Sequence, residues 1–199
     1  MKLLTNGSLI LASASPRRME LLTEWGLSFK VVSSGVDESW RQGETPRGYV
    51  KRISAAKALA VAELYPDAWV LGADTIVTID HQVLGKPRDK EEAKKMIRLL
   101  SGRKHDVFTG FALARKSEAL LEQGIVRSAV MFREVSDEEI AWYVHSDEPY
   151  DKAGGYAIQG KGGLFVREIR GSHSNVVGLP VSEVFAALKK IGVVRFAEK

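Results

Sequence analysis

The chain contains no cysteine, so a disulfide framework and a thiolate metal site are both excluded. No apolar run approaches the roughly 20 residues that a membrane helix needs. The early stretch Leu9–Ala12 is too short for the apolar core of a signal peptide. A soluble, cytoplasmic protein is the expectation. Repeats, low-complexity tracts and obvious linkers are also missing. Basic runs stop at pairs, Arg17-Arg18 and Lys189-Lys190, short of the dense stripe that marks a nucleic-acid surface. Lys plus Arg number 29 against 25 Asp plus Glu, a net +4 that favours anionic ligands without naming one. His81, His105, His145 and His173 lie far apart, with no pair at helix-face metal spacing, and read as turn, surface or packing residues. No Ser/His/Asp order is legible, and Ser13 as a nucleophile would lack a base. Gly85-Lys86-Pro87 lacks the leading glycines and the following Ser/Thr of a phosphate-binding P-loop.

What is present is an ordinary globular balance: 199 residues, 45% hydrophobic and 27% charged, enough for a buried core and read as one domain, 1–199. Strands are expected at Leu9–Ala12, Phe29–Val32 and Trp69–Ala73, the last ending at Asp74. A hairpin over Thr75–Leu84 turns at Asp80-His81, and long strands run from His105 to Ala114 and Ile125 to Val135, with another at Leu164–Ile169. Ser15-Pro16 and Thr45-Pro46 read as cap-plus-proline helix starts. The second of these helices carries Tyr49, Ile53, Ala56, Ala60 and Leu64 on one face. Asp89 with Glu92 and Ser136 with Glu139 form capping boxes. Pro180 opens a last helix with Val184, Phe185, Leu188 and Ile191 inward. Five glycines between Gly154 and Gly163 exclude a regular helix there. The pattern is α/β with a mixed sheet.

Five polar clusters stand in loops or at expected strand ends, where open α/β sheets place ligands. In Ser13-Ala-Ser-Pro-Arg-Arg18, unpaired N–H groups at a helix start favour an anion, while Arg17 and Arg18 oppose the helix dipole unless a phosphate chain takes their guanidinium groups. Read physically, this is equally a capped helix with two surface arginines. Asp37-Glu38 alone carries little weight. Asp74, ending an apolar strand in Gly72-Ala-Asp-Thr75, points to a metal ligand or a group that orients or deprotonates water, against capping of the next turn. Lys86 sits in a tight turn and suits phosphate neutralisation. In Asp151–Gly160, glycines permit close backbone approach, and Gln159 offers both a donor and an acceptor to a base edge.

Taken together, these clusters resemble the Maf family. Leu11-Ala-Ser-Ala-Ser-Pro-Arg-Arg18, Gly72-Ala-Asp-Thr75, Leu84-Gly-Lys-Pro87, Ser101–Gly110, Asp151–Gly160 and Ser174-Asn-Val-Val-Gly-Leu-Pro180 match its blocks in order, across roughly residues 9 to 190. The resemblance implies an elongated mixed sheet flanked by helices, two lobes around a cleft, similar to inosine triphosphate pyrophosphatases, and a homodimer. It implies hydrolysis of a nucleoside triphosphate to monophosphate and pyrophosphate with a divalent cation, Mg²⁺ or Mn²⁺, and the form of the last glycine cluster implies the dTTP/UTP branch. Asp74 matches the family's proton acceptor. Ser13, Arg17, Arg18, Glu38, Lys57 and Lys86 match positions that handle phosphates and metal, with Glu38 and Asp74 the natural metal ligands. Arg17, Thr75 and Gln159 match positions tied to substrate choice. The competing expectation is a division-linked regulatory or nucleic-acid-binding protein without turnover. A nucleotide-sensing module that binds without hydrolysis is the third.

Overall fold

The computed structural model describes residues 3–197. In chain order the elements are β1 (Leu3–Thr5), β2 (Leu9–Leu11), α1 (Pro16–Glu24), β3 (Lys30–Val31), α2 (Pro46–Leu64), β4 (Trp69–Ile79), β5 (Gln82–Leu84), α3 (Lys90–Leu100), β6 (Lys104–Arg115), β7 (Leu120–Phe132), α4 (Asp137–Val144), β8 (Val166–Arg170), α5 (His173–Val177), α6 (Val181–Lys190) and β9 (Val194–Phe196). Strand order in the main sheet is β3-β2-β4-β6-β7-β8, with β5 paired to β4. β2 is parallel to β3 and β4, whereas β4–β5 and β7–β8 are antiparallel, so the sheet is mixed and the fold α/β as expected. The chain divides into two compact units: residues 1–74, 109–126 and 178–199, and residues 75–108 and 127–177.

In the first unit, Ile10, Ala12, Ala58, Val61, Ala62, Ala68, Val70, Ala112 and Ala114 form a core rich in small side chains. Small residues let α2 lie close to the strands. A Cβ on Gly72 of β4 would stand 2.3 Å from the Ser54 carbonyl oxygen and 2.6 Å from the Ala58 nitrogen. One on Gly110 of β6 would stand 2.3 Å from the Val50 carbonyl oxygen. At both points helix backbone rests directly on strand backbone. The second unit has a larger-residue core, with Val77, Ile97, Leu100, Val130, Phe132, Ile140, Tyr143, Tyr156 and Phe165 among its members.

Most local signals appear as expected. Thr45 caps α2 by accepting from the Gly48 N–H at 3.1 Å. Ser136 and Glu139 form a reciprocal capping box on α4. Asp80 and His81 both take positive φ (48° and 64°), as a two-residue hairpin turn requires. Several expectations need correction. β4 does not end at Asp74 but runs on to Ile79, because the β-branched Thr75–Ile79 continues the strand. The inward face of α2 is rotated: Leu64 is 69% exposed, whereas Ser54 and Lys57 are buried with Val50, Ile53 and Val61. Polar residues at 54 and 57 hid this face from an apolar count. Ser15 precedes α1 without a side-chain capping bond. Asp89 accepts from the Glu92 N–H, but Glu92 turns its carboxylate to Arg88, so that box is half formed. β3 is shorter than expected and β7 begins earlier, at Leu120. β1, β9 and α5, too short to show a period, were not anticipated.

Gly72→Ala is expected to destabilise the protein by about 1–3 kcal/mol or more, since the added methyl meets helix backbone rather than a side chain that can swing away. Thermal unfolding should show a fall in Tm of several degrees. An unchanged Tm would show that α2 yields freely.

Candidate active site

The first unit holds six of the site residues singled out from the sequence: Ser13, Arg17, Arg18, Glu38, Lys57 and Asp74. Lys57 lies on the buried face of α2 and Asp74 on β4, and the close seating of helix on strand brings them together. Lys57 Nζ donates to Asp74 Oδ1 at 2.7 Å and pairs with Glu38 Oε1 at 2.8 Å. The Lys57 and Asp74 side chains are each 9% exposed, while that of Glu38 is 53% exposed. One ammonium is therefore shared between a buried carboxylate and a half-open one. Burial raises the Asp74 pKa above the ordinary aspartate value; Lys57 and Arg18 oppose that rise and Glu38 adds to it.

Arg18 is buried within the first turn of α1. Its Nε donates to the Gly178 carbonyl at 2.8 Å and its NH1 to Ser13 Oγ at 2.9 Å. Burial lowers its pKa, as does Arg17, while Asp74 and Glu38 act the other way. The guanidinium keeps its charge regardless, since arginine does not deprotonate in proteins. Ser13 Oγ also accepts from the Ser15 N–H at 3.3 Å. The serine of the N-terminal block is thus committed to holding Arg18 and the turn. Two cations, Arg18 and Lys57, lie within the field of the two carboxylates Asp74 and Glu38, and Arg17 adds a further positive charge beside Arg18.

The loop bearing Glu38 is tied down by residues that the sequence did not reveal. Tyr49 donates its hydroxyl to the Glu38 carbonyl at 2.7 Å, Trp40 stacks on Tyr49 at 4.7 Å between ring centroids, and Arg52 reaches the Ser39 carbonyl at 3.0 Å. In the sequence Tyr49 shows only as a residue of the apolar face of α2. Its pKa is pushed up to about 12, first by burial and then by Asp74 and Glu38. The Gly178 carbonyl was likewise not foreseen, although it lies inside the matched block Ser174–Pro180.

The remaining expected residues belong to the second unit. Thr75 is half-buried on β4 directly after Asp74, and Lys86 and Gln159 are exposed. Gly154 N–H donates to the Gly85 carbonyl at 3.0 Å, so the turn carrying Lys86 and the glycine cluster before Gln159 are joined. Gly154 and Gly155 both take positive φ (72° and 70°), and a Cβ at Gly154 would press on Val77 at 3.0 Å. Of the histidines, only His105 is buried, and burial holds its pKa low, at about 4.

The mixed sheet and its flanking helices define an α/β protein. The chain belongs to the Maf family: residues 8–191 match the Maf-like protein family. It is 55% identical over 189 residues to a dTTP/UTP pyrophosphatase of Syntrophus aciditrophicus (strain SB), covering 95% of this chain and 92% of that one. It is 52% identical over 185 residues to a dTTP/UTP pyrophosphatase of Myxococcus xanthus (strain DK1622), covering 93% of each. Among solved structures, a nucleoside-triphosphatase / dITP/XTP pyrophosphatase from Mycobacterium abscessus aligns at TM-score 0.47 and 15% identity, over 93% of this chain and 98% of that one. A HAM1 protein from Coxiella burnetii aligns at TM-score 0.47 and 17% identity, over 93% and 100%.

Replacing Lys57 by Met should leave a buried carboxylate without its partner and cost about 3 kcal/mol in urea unfolding. Glu38→Gln, at a half-exposed position, should cost under about 1 kcal/mol. Equal losses in the two variants would refute the asymmetry described for this cluster.

Proposed function

We propose that this chain hydrolyses dTTP and UTP to the nucleoside monophosphate and pyrophosphate. The observation that carries the proposal is the buried Lys57–Asp74 pair with Glu38 on the same ammonium, in a unit that also fixes Arg18. The names of the relatives, dTTP/UTP pyrophosphatases at 55% and 52% identity, supply the reaction and the substrate. They favour an enzyme over a regulatory or nucleic-acid-binding protein without turnover.

A nucleoside triphosphate carries about four negative charges, which the cations of the site offset. Arg18, held by Ser13 and the Gly178 carbonyl, brings a fixed positive charge to the phosphates, and Arg17 and Lys86 add to it. Asp74 acts as the base. It orients a water and takes its proton as the water oxygen bonds to the α-phosphorus. The α–β anhydride bond breaks, and its electron pair leaves on pyrophosphate. Lys57 fixes the Asp74 carboxylate and keeps it ionised against burial. Thr75, Arg17 and Gln159 select the nucleotide.

Glu38 and Asp74 would hold a divalent cation. Both are hard oxygen donors, and two carboxylates completed by phosphate and water suit Mg²⁺ or Mn²⁺, which seldom uses an all-protein cage. Among the described residues no group of three or more acidic, histidine or cysteine side chains is placed to hold a metal ion. The cation would neutralise charge and polarise a phosphoryl oxygen. A homodimer and a cytoplasmic location complete the proposal. Among the described residues no helix is long and apolar enough to cross a membrane.

Pyrophosphate release from dTTP, UTP, CTP, 7-methyl-GTP, ITP and the standard purine nucleotides, with Mg²⁺ or Mn²⁺, tests the reading. Rapid turnover of dTTP and UTP alone is expected, and no turnover of any would overturn it. Asp74→Asn should lower kcat by about 10²–10⁴-fold, and near-normal turnover would remove Asp74 from the role of base. The raised pKa of Asp74 gives a further sign. The base works ionised, so activity should fall with decreasing pH at a value above the ordinary carboxylate range. In Lys57→Met that acid limb should move higher still, because a lowering influence is gone.

A further inference from the structure

In the second unit, Gln159 is exposed and its side chain makes no hydrogen bond among the described residues, although a base-selecting amide must be held in place. The chain on either side of it is anchored. On the N-terminal side, Tyr156 is buried, and its hydroxyl and His105 Nε2 share a hydrogen bond of 2.8 Å. The Tyr156 ring also packs edge-on against His105 and Phe132. Burial keeps His105 neutral at neutral pH, so this bond needs no charge.

On the C-terminal side, one carboxylate gathers three donors. Glu148 Oε2 accepts from the Lys161 N–H at 2.8 Å, and Oε1 accepts from the Gly162 N–H at 2.9 Å and from the Tyr143 hydroxyl at 3.0 Å. The fit leaves no room for side chains. A Cβ at Gly160 would stand 2.2 Å from Glu148 Oε2, and one at Gly163 would stand 2.4 Å from the Ile158 carbonyl oxygen. Gly160 N–H and Gly163 N–H close the turn onto Ala157 and Gly160 carbonyls at 3.4 and 3.1 Å. Lys161, directly beyond, lies over the Trp142 ring at 5.5 Å. The residues between the anchors are therefore only Ala157, Ile158, Gln159 and Gly160.

We infer that Glu148 and the His105–Tyr156 pair are positioning residues for nucleobase selection, which fix Gln159 by clamping the chain immediately before and after it. The inference rests on the reading of Gln159 as a base-selecting residue. Two adjacent N–H groups and a hydroxyl converging on one carboxylate make a charge-assisted anchor, stronger than neutral bonds would be. A side chain at 160 would displace the Glu148 carboxylate from these donors. Uracil and cytosine differ at the exocyclic group on C4, where acceptor is exchanged for donor, and at N3, where donor is exchanged for acceptor. An amide discriminates between them only while its own orientation is fixed.

The test is the ratio of kcat/KM for UTP over CTP in Glu148→Gln and Tyr156→Phe, each alone and combined with Gln159→Ala. Both substitutions keep volume, and the second keeps the ring. Each alone should lower the ratio on the order of tenfold, through KM for UTP more than through kcat. Neither should lower it further once Gln159 is replaced. Hydrogen exchange of the amides at 157–163 should quicken in Glu148→Gln. A lowered Tm with an unchanged ratio, while Gln159→Ala does lower it, would show a purely structural clamp and overturn the inference. If Gln159→Ala itself leaves the ratio unchanged, the base-selecting reading fails, and the inference falls at its premise.

Discussion

Glycine at 72 and at 110 lets the backbone of α2 rest on β4 and β6, and the site of the first unit depends on that seating. With any larger residue at these points the helix would stand off, and Lys57 Nζ would no longer reach Asp74 Oδ1 at 2.7 Å. A buried lysine and a buried aspartate are each costly alone. Held together at this distance, each compensates the other, and the pair survives in a layer otherwise built from alanine, valine and isoleucine. Glu38 joins from a loop that is more open to solvent. The cluster therefore has a fixed half and a half that meets solvent.

The buried arginine follows the same logic. Arg18 opposes the dipole of its own helix and loses hydration, both unfavourable. Ser13 and the Gly178 carbonyl return two hydrogen bonds, but neither carries a full negative charge. Asp74 and Glu38 supply part of the missing field. The result is a buried cation fixed in place by these bonds and by the charges around it.

The second unit solves a different problem. Gln159 is exposed, so packing cannot hold it, and order is imposed through the backbone by Glu148 and by Tyr156. The glycines of this cluster serve that end in distinct ways. Gly154 binds the Gly85 turn, Gly160 makes way for a carboxylate, and Gly163 lies against the Ile158 carbonyl. In sequence they look like one flexible tract, whereas in the fold they form a tightly hydrogen-bonded turn.

Sequence by itself determined the class of fold, the presence of the longer elements, the caps at Thr45 and Ser136, the hairpin at Asp80-His81 and the family. These are local matters of period, turn chemistry and ordered motifs, in which neighbours along the chain carry the information. It also marked Asp74, although for the wrong local reason, since the strand continues past it. The rotation of α2 that buries Lys57 was decided only by tertiary structure, because an apolar count passes over a lysine whose partner lies on another strand. The same holds for the Tyr49 bond to the Glu38 carbonyl, the Gly178 carbonyl on Arg18 and the Glu148 clamp. Each joins residues distant in sequence through backbone atoms, and a backbone carbonyl or N–H has no letter in the sequence by which to be recognised.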